Sequence, residues 1–167
     1  GQATYVNGQL EGEWLIVDAK QNKCALISFK DGQRHGPEIF WLPNGDTYQQ
    51  AHFENGLQVG KVVRRSSQGE MKTVAEYLDG KEIITKTEKF PRRRETKSVA
   101  TFLGPKMVVN EADDFWNATR FASYKPVGTE MRHGPWTSYY QNGKTQVEGF
   151  YQYDKEMGNF TWWHSNG

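Results

Sequence analysis

Arg34-His35-Gly36-Pro37 returns unchanged at Arg132-His133-Gly134-Pro135. Glu38-Ile39-Phe40-Trp41-Leu42-Pro43-Asn44-Gly45 follows the first copy, and Trp136-Thr137-Ser138-Tyr139-Tyr140-Gln141-Asn142-Gly143 follows the second. Working outward, Gly12, Gly36 and Gly60 are spaced by 24 residues, as are Gly134 and Gly158. Gly8, Gly32, Gly56 and Gly80 keep the same step, each preceded by an aromatic residue three positions earlier: Tyr5, Phe29, Phe53 and Tyr77. Several positions recurring in phase identify a repeat protein, in which each unit buries its apolar face against its neighbours.

Within a unit, bulky strand-forming residues run up to a turn pair and return. Pro37 to Leu42 and Asp46 to Phe53 flank Asn44-Gly45, and Asn55-Gly56 opens the next hairpin. A type I′ turn needs positive φ at both central residues, which Asn-Gly tolerates best. Asn7-Gly8, Asp31-Gly32, Asp79-Gly80 and Asn142-Gly143 carry the same chemistry, with weaker versions at Gln68-Gly69 and Lys20-Gln21-Asn22. The expected fold is mainly β, an antiparallel meander of consecutive hairpins in a curved single sheet.

Centring a two-residue turn on Asn44 and Gly45 places Phe40 opposite Gln49 and Glu38 opposite Ala51. One or more periods away, Trp14 faces Ile27, Val62 faces Ala75 and Trp136 faces Gly149, where the ring is expected to cover the missing side chain. This face, with Phe29, Phe53, Tyr77 and Tyr151, is the one expected to be buried. The reverse face mixes Trp41, Tyr48, Tyr139 and Trp163 with His52, Arg65, Lys72, Glu76 and Glu148, and is the expected binding surface.

Residues 1–83 hold three units, 84–133 form an atypical segment, and 134–167 resume the repeat, together one continuous domain. In the atypical part, Lys86 to Phe90 and Glu95 to Phe102 read as a worn hairpin around Pro91. Asn110 is a helix N-cap candidate, and Glu111, Asp113 and Asp114 suit the positive end of a helix dipole, so a short helix is expected near 111–121.

The units Gly134-Pro135-Trp136-x-x-Tyr139-Tyr140-x-Asn142-Gly143-Lys144 and Gly158-x-Phe160-x-Trp162-Trp163-x-x-Asn166-Gly167 resemble the MORN-repeat variant of bacterial YwqK-like proteins. The resemblance covers 1–83 and 134–167 and departs over 84–133 and in the first hairpin turn. It implies a sheet of hairpins in a protein-contact or lipid-contact role, antitoxin-like in some members, and implies no reaction.

The 167 residues have a mean hydropathy of -0.83 yet carry 9 Phe, 8 Tyr and 6 Trp, which suits a thin sheet bearing large rings. A net charge of +1 gives no argument for a specific nucleic-acid partner. Cys24, the one cysteine, excludes an intramolecular disulfide and a cysteine zinc cluster. No apolar run is long enough for a transmembrane helix. The chain lacks an initiator Met and stops within a unit, so a piece of a longer protein is expected.

His35 and His133 occupy equivalent repeat places, which favours architecture over catalysis. Glu111, Asp113, Asp114 and His133 lack a recognised metal-ligand spacing, and no nucleophile elbow or phosphate loop is present. Neither a metal nor a cofactor is expected. Between Ile84 and Val109, seven basic residues, among them Arg92, Arg93 and Arg94, stand against Glu88 and Glu95. They read as a solvated hairpin tip or a docking patch for phosphate, anionic lipid or acidic protein. The function expected is a non-enzymatic module that binds a protein, with its C-terminal edge strand open to self-association or an added strand. The competing readings are an enzyme built on 84–133 and a structural spacer.

Overall fold

The computed structural model describes residues 4–109 and 124–166. The strands are β1 (Thr4–Val6), β2 (Gln9–Val17), β3 (Lys23–Lys30), β4 (Gln33–Trp41), β5 (Thr47–Glu54), β6 (Leu57–Arg65), β7 (Met71–Leu78), β8 (Lys81–Lys89), β9 (Thr96–Val109), β10 (Tyr124–Val127), β11 (Met131–Tyr139), β12 (Thr145–Gln152) and β13 (Lys155–Trp162). There is no helix among the described residues, and the helix expected over 111–121 lies outside them. The chain folds into two compact units, the first made of Gly1–Glu82 with Lys106–Val127, the second of Ile83–Pro105 with Gly128–Gly167.

In the first unit, β1 to β7 pair in sequence as antiparallel hairpins, and the start of β8 pairs with β7. The end of β9 pairs with β10. In the second unit the order is β8-β9-β11-β12-β13, with the expected worn hairpin formed by β8 and β9. The expected pairs Phe40 with Gln49, Glu38 with Ala51, Trp14 with Ile27, Val62 with Ala75 and Trp136 with Gly149 are all present.

Two turn types alternate. Asn7-Gly8, Asp31-Gly32, Asn55-Gly56 and Asp79-Gly80 have positive φ at both residues, as type I′ requires, and Tyr153-Asp154 adopts the same form without glycine. Asn44-Gly45 does not. Only Gly45 has positive φ, and the turn is closed by Gly45 N–H to Leu42 O (2.9 Å) and Leu42 N–H to Asp46 O (2.8 Å). Pro43 is the reason, since its fixed φ suits the first central position of a type I turn. The three-residue loop costs one residue of register, and a bulge at Tyr48 restores it. Tyr140 to Lys144 repeats this arrangement, with the extra residue at Gln146.

The face expected to be buried holds the core of the first unit. Ile16, Ala25, Ile27, Phe29 and Phe40 form one buried cluster, and Ala51, Phe53 and Val62 another. In the second unit Leu103, Val147 and Tyr151 are buried.

Candidate functional site

The first three residues of the repeated tetrapeptide each have a structural task. Arg34 and Arg132 lay their guanidinium groups over the rings of Phe53 (5.7 Å) and Tyr151 (4.9 Å). Gly56 N–H donates to Arg34 O (2.8 Å), and Asp154 N–H donates to Arg132 O (2.9 Å). His35 Nδ1 accepts from Asn55 N–H (3.3 Å), while the His133 ring packs on Tyr153 at 4.7 Å. Gly36 and Gly134 take φ of 103° and 109° inside bulges where four residue steps on one strand face two on its partner. The motif therefore grips the next type I′ turn. Glu111, Asp113 and Asp114 lie outside the described residues.

The bulge at Gly36 has a chemical consequence. Residues four apart on an extended strand are about 13 Å apart, yet Arg34 and Glu38 form an ion pair with side chains 4% and 3% exposed. Gln49 and Gln58 are buried beside it, and Arg64 donates through Nε (2.9 Å) and Nη2 (2.7 Å) to Gln49 Oε1. Glu38, Gln49, Gln58 and Arg64, together with the rings of Tyr77 and Tyr124, line a groove of about 260 Å³ in the first unit. Burial, then the charge of Glu82, raises the Tyr77 pKa, so its hydroxyl stays protonated.

The second unit has a different groove, of about 460 Å³, with Phe90, Trp136, Tyr139 and Tyr140 in its walls. The Glu88–Lys97 ion pair (2.9 Å) lies in the same groove, and the hydrogen bond from Lys97 holds the Glu88 carboxyl below its usual range. Aromatic contacts extend across neighbouring strands: Tyr151 meets Phe160 at 5.5 Å, Trp136 meets Phe160 at 6.2 Å, and Phe160 meets Trp162 at 6.0 Å. Trp162 is 68% exposed. Phe160, and not Trp136, occupies the space beside Gly149, where an added Cβ would lie 2.2 Å from the Phe160 ring.

The residues expected on the binding face are dispersed. Trp41 is half-buried, with the Lys23 ammonium 5.7 Å from its ring. Tyr48 belongs to the opposite face from the one expected: the bulge turns it onto the cluster around Phe40, with Arg64 over its ring at 5.9 Å. Tyr139 borders the aromatic groove and also a depression of about 360 Å³ beside Val99 and Gly143. Trp163 is 37% exposed; its N–H donates to Gln146 O (3.0 Å), and its carbonyl accepts from the Tyr140 hydroxyl (2.8 Å).

Arg92, Arg93 and Arg94 are exposed at the β8–β9 turn, and among the described residues none has a carboxylate within ion-pair distance. Of the other cations in that cluster, Lys86 pairs with Glu130 and Lys97 with Glu88.

Sequence reasoning did not single out the Glu38-Gln49-Gln58-Arg64 group or the exposed Trp162. A signal for the first was present, since Glu38 interrupts a repeat position held elsewhere by Trp14, Val62, Trp136 and Phe160. For Trp162 there was none, because exposure depends on which side chains reach across the sheet.

Residues 34–55 and 132–153 each match the family model described as MORN repeat variant. No curated protein matches the chain.

Proposed function

We propose that this is a non-enzymatic repeat module that holds a protein partner on the aromatic groove of its second unit and on the rings of Phe160 and Trp162 that continue from Trp136. Its two matches to the MORN repeat variant support a repeat module of a kind often used in binding. The observation that carries the reading is Trp162. One repeat before it stands Ser138, and the same repeat place in the first unit holds Ile16 and Phe40, both buried in the core, and Arg64. Trp162 instead presents its ring to solvent, in contact with Phe160 and thereby with Trp136. Trp and Tyr bring large contact area at small entropic cost and dominate interface energetics. The resemblance to YwqK-like proteins, antitoxins in part, makes a toxin protein a first partner to try.

The test is photo-crosslinking from an amino acid placed at Trp162 or Tyr139, with Glu13 as an exposed control. One common adduct from Tyr139 in the groove and from Trp162 beside it, absent from the control, is expected. Adducts that are the same from all three positions would remove the reading.

A second reading rests on Arg92, Arg93 and Arg94, three exposed guanidinium groups on one turn. They are a docking point for phosphate or anionic lipid. Flotation with vesicles containing phosphatidylserine should then be lost on replacing all three with Gln; binding that survives the replacement rules it out.

A further inference from the structure

The polar groove of the first unit goes beyond a protein-contact role. Glu38 stands where other repeats have Trp14, Val62, Trp136 and Phe160; Gln49 where they have Ala25, Thr73 and Val147; Arg64 where they have Ile16, Phe40, Ser138 and Trp162. One departure from an apolar position and two polar choices at mixed positions therefore converge on one groove. Most of the charge there is settled within the protein, by the Arg34–Glu38 pair and by the two bonds from Arg64 to Gln49. Gln58 is different. It is 6% exposed and lines the groove, and its carboxamide has no hydrogen-bond partner among the described residues. The Tyr77 hydroxyl, on the same groove, has none there either. Neither group is among the buried atoms left without a partner, so both open into the groove and are available to a ligand there.

The chemistry of these groups selects a class of ligand. An ammonium would need a carboxylate that is not already neutralised, and Glu38 is held by Arg34. A strong anion would compete with Gln49 for Arg64. A carboxamide and a protonated phenol each both donate and accept, which is what a ring of hydroxyls asks for. The rings of Tyr77 and Tyr124 offer flat walls for its C–H face, and about 260 Å³ suits one six-membered ring. We propose that this groove binds a hexose ring, either free or at the end of a glycan, through Gln58 and Tyr77.

The experiment titrates the protein with glucose, galactose, mannose and N-acetylglucosamine and with their methyl glycosides, following the Gln58 side-chain amide and the Tyr77 ring by NMR. A saturable shift with at least one hexose is expected. Equal binding of its methyl glycoside assigns the site to glycan ends, and binding of the free sugar alone assigns it to monosaccharides. Gln58→Leu should weaken binding at least about tenfold, the worth of roughly one well-made hydrogen bond to a buried group. Tyr77→Phe keeps the ring and should weaken it by a smaller factor, which reads the site even if Gln58→Leu does not fold. Trp162→Ala should leave sugar binding unchanged, separating this site from the aromatic groove. No saturable shift with any sugar would overturn the proposal, as would affinity untouched by either groove variant. Binding of N-acetylglutamine amide in place of every sugar would give the groove to a peptide side chain and overturn it as well.

Discussion

Residues 34–64 and 132–162 run through the same turns, bulges and register, yet place opposite chemistry on the same face. Where the first has Glu38, Gln49, Val62 and Arg64, the second has Trp136, Val147, Phe160 and Trp162. In the first, an ion pair and two amides are buried; in the second, a tryptophan stands 68% exposed. The frame is carried by residues with backbone tasks: the glycine in each bulge, the positive-φ turn residues, and the arginine that caps a ring. The face positions are then free to carry different surfaces.

The largest effect should come from breaking the buried pair. Glu38→Gln leaves the Arg34 guanidinium without its counter-charge and should cost about 3–5 kcal/mol in denaturant unfolding. Replacing Arg34 and Glu38 together with Met should come within about 1 kcal/mol of the parent. Trp136→Ala, at the equivalent half-buried place, should cost only about 2 kcal/mol. Equal losses from Glu38→Gln and Trp136→Ala would mean that the two faces do not differ as described.

Gly149→Ala drives a methyl group into Phe160 and should destabilise by about 1–3 kcal/mol, whereas Ala51→Gly at the matching position should cost about 0.5–1 kcal/mol. Differential calorimetry of the two variants checks the ordering. By contrast, Gly36→Ala and Gly134→Ala should behave alike. Each forces a side chain into positive φ, with its Cβ 3.1 Å from Ser28 Cβ or Thr101 Cβ, and each should cost about 1–2 kcal/mol. Unequal costs would show that the bulges are not equivalent.

The smallest effect is a pH dependence at the turn between β2 and β3. Asp18 Oδ1 accepts from Lys20 N–H and Asn22 N–H, and Oδ2 accepts from Asn22 Nδ2. The Asn22 side-chain bond is the first cause of a pKa lowered from 3.8. A lowered folded-state pKa means that the contribution is complete above the unfolded value and is lost as pH falls through the folded one. Asp18→Asn should therefore flatten a small stability loss between about pH 5 and pH 2. The turn from Tyr140 to Lys144, where Asn142 Oδ1 accepts from Lys144 N–H (3.0 Å), has no carboxylate in that role and should not respond.

The amino-acid sequence by itself determined the period, the order of hairpins, the type I′ turns at Asn7-Gly8, Asp31-Gly32, Asn55-Gly56 and Asp79-Gly80, and the register beyond the bulges. These follow from glycine spacing and the two-residue alternation of strands, which are local properties. It did not determine the three-residue turns at Asn44-Gly45 and Asn142-Gly143. Three matters were decided only by tertiary structure. A bulge compensating a three-residue turn moved Tyr48 onto the core face; Pro43 was visible, but the compensation depends on pairing across the hairpin. A second kind of bulge, at Gly36, brought Arg34 and Glu38 together although an extended strand would hold them far apart. Phe160 filled the space at Gly149 from the neighbouring strand, because side chains reach across a sheet as well as along it. Local preferences specify where the backbone turns, and contact between strands settles what each face buries and what it leaves for a partner.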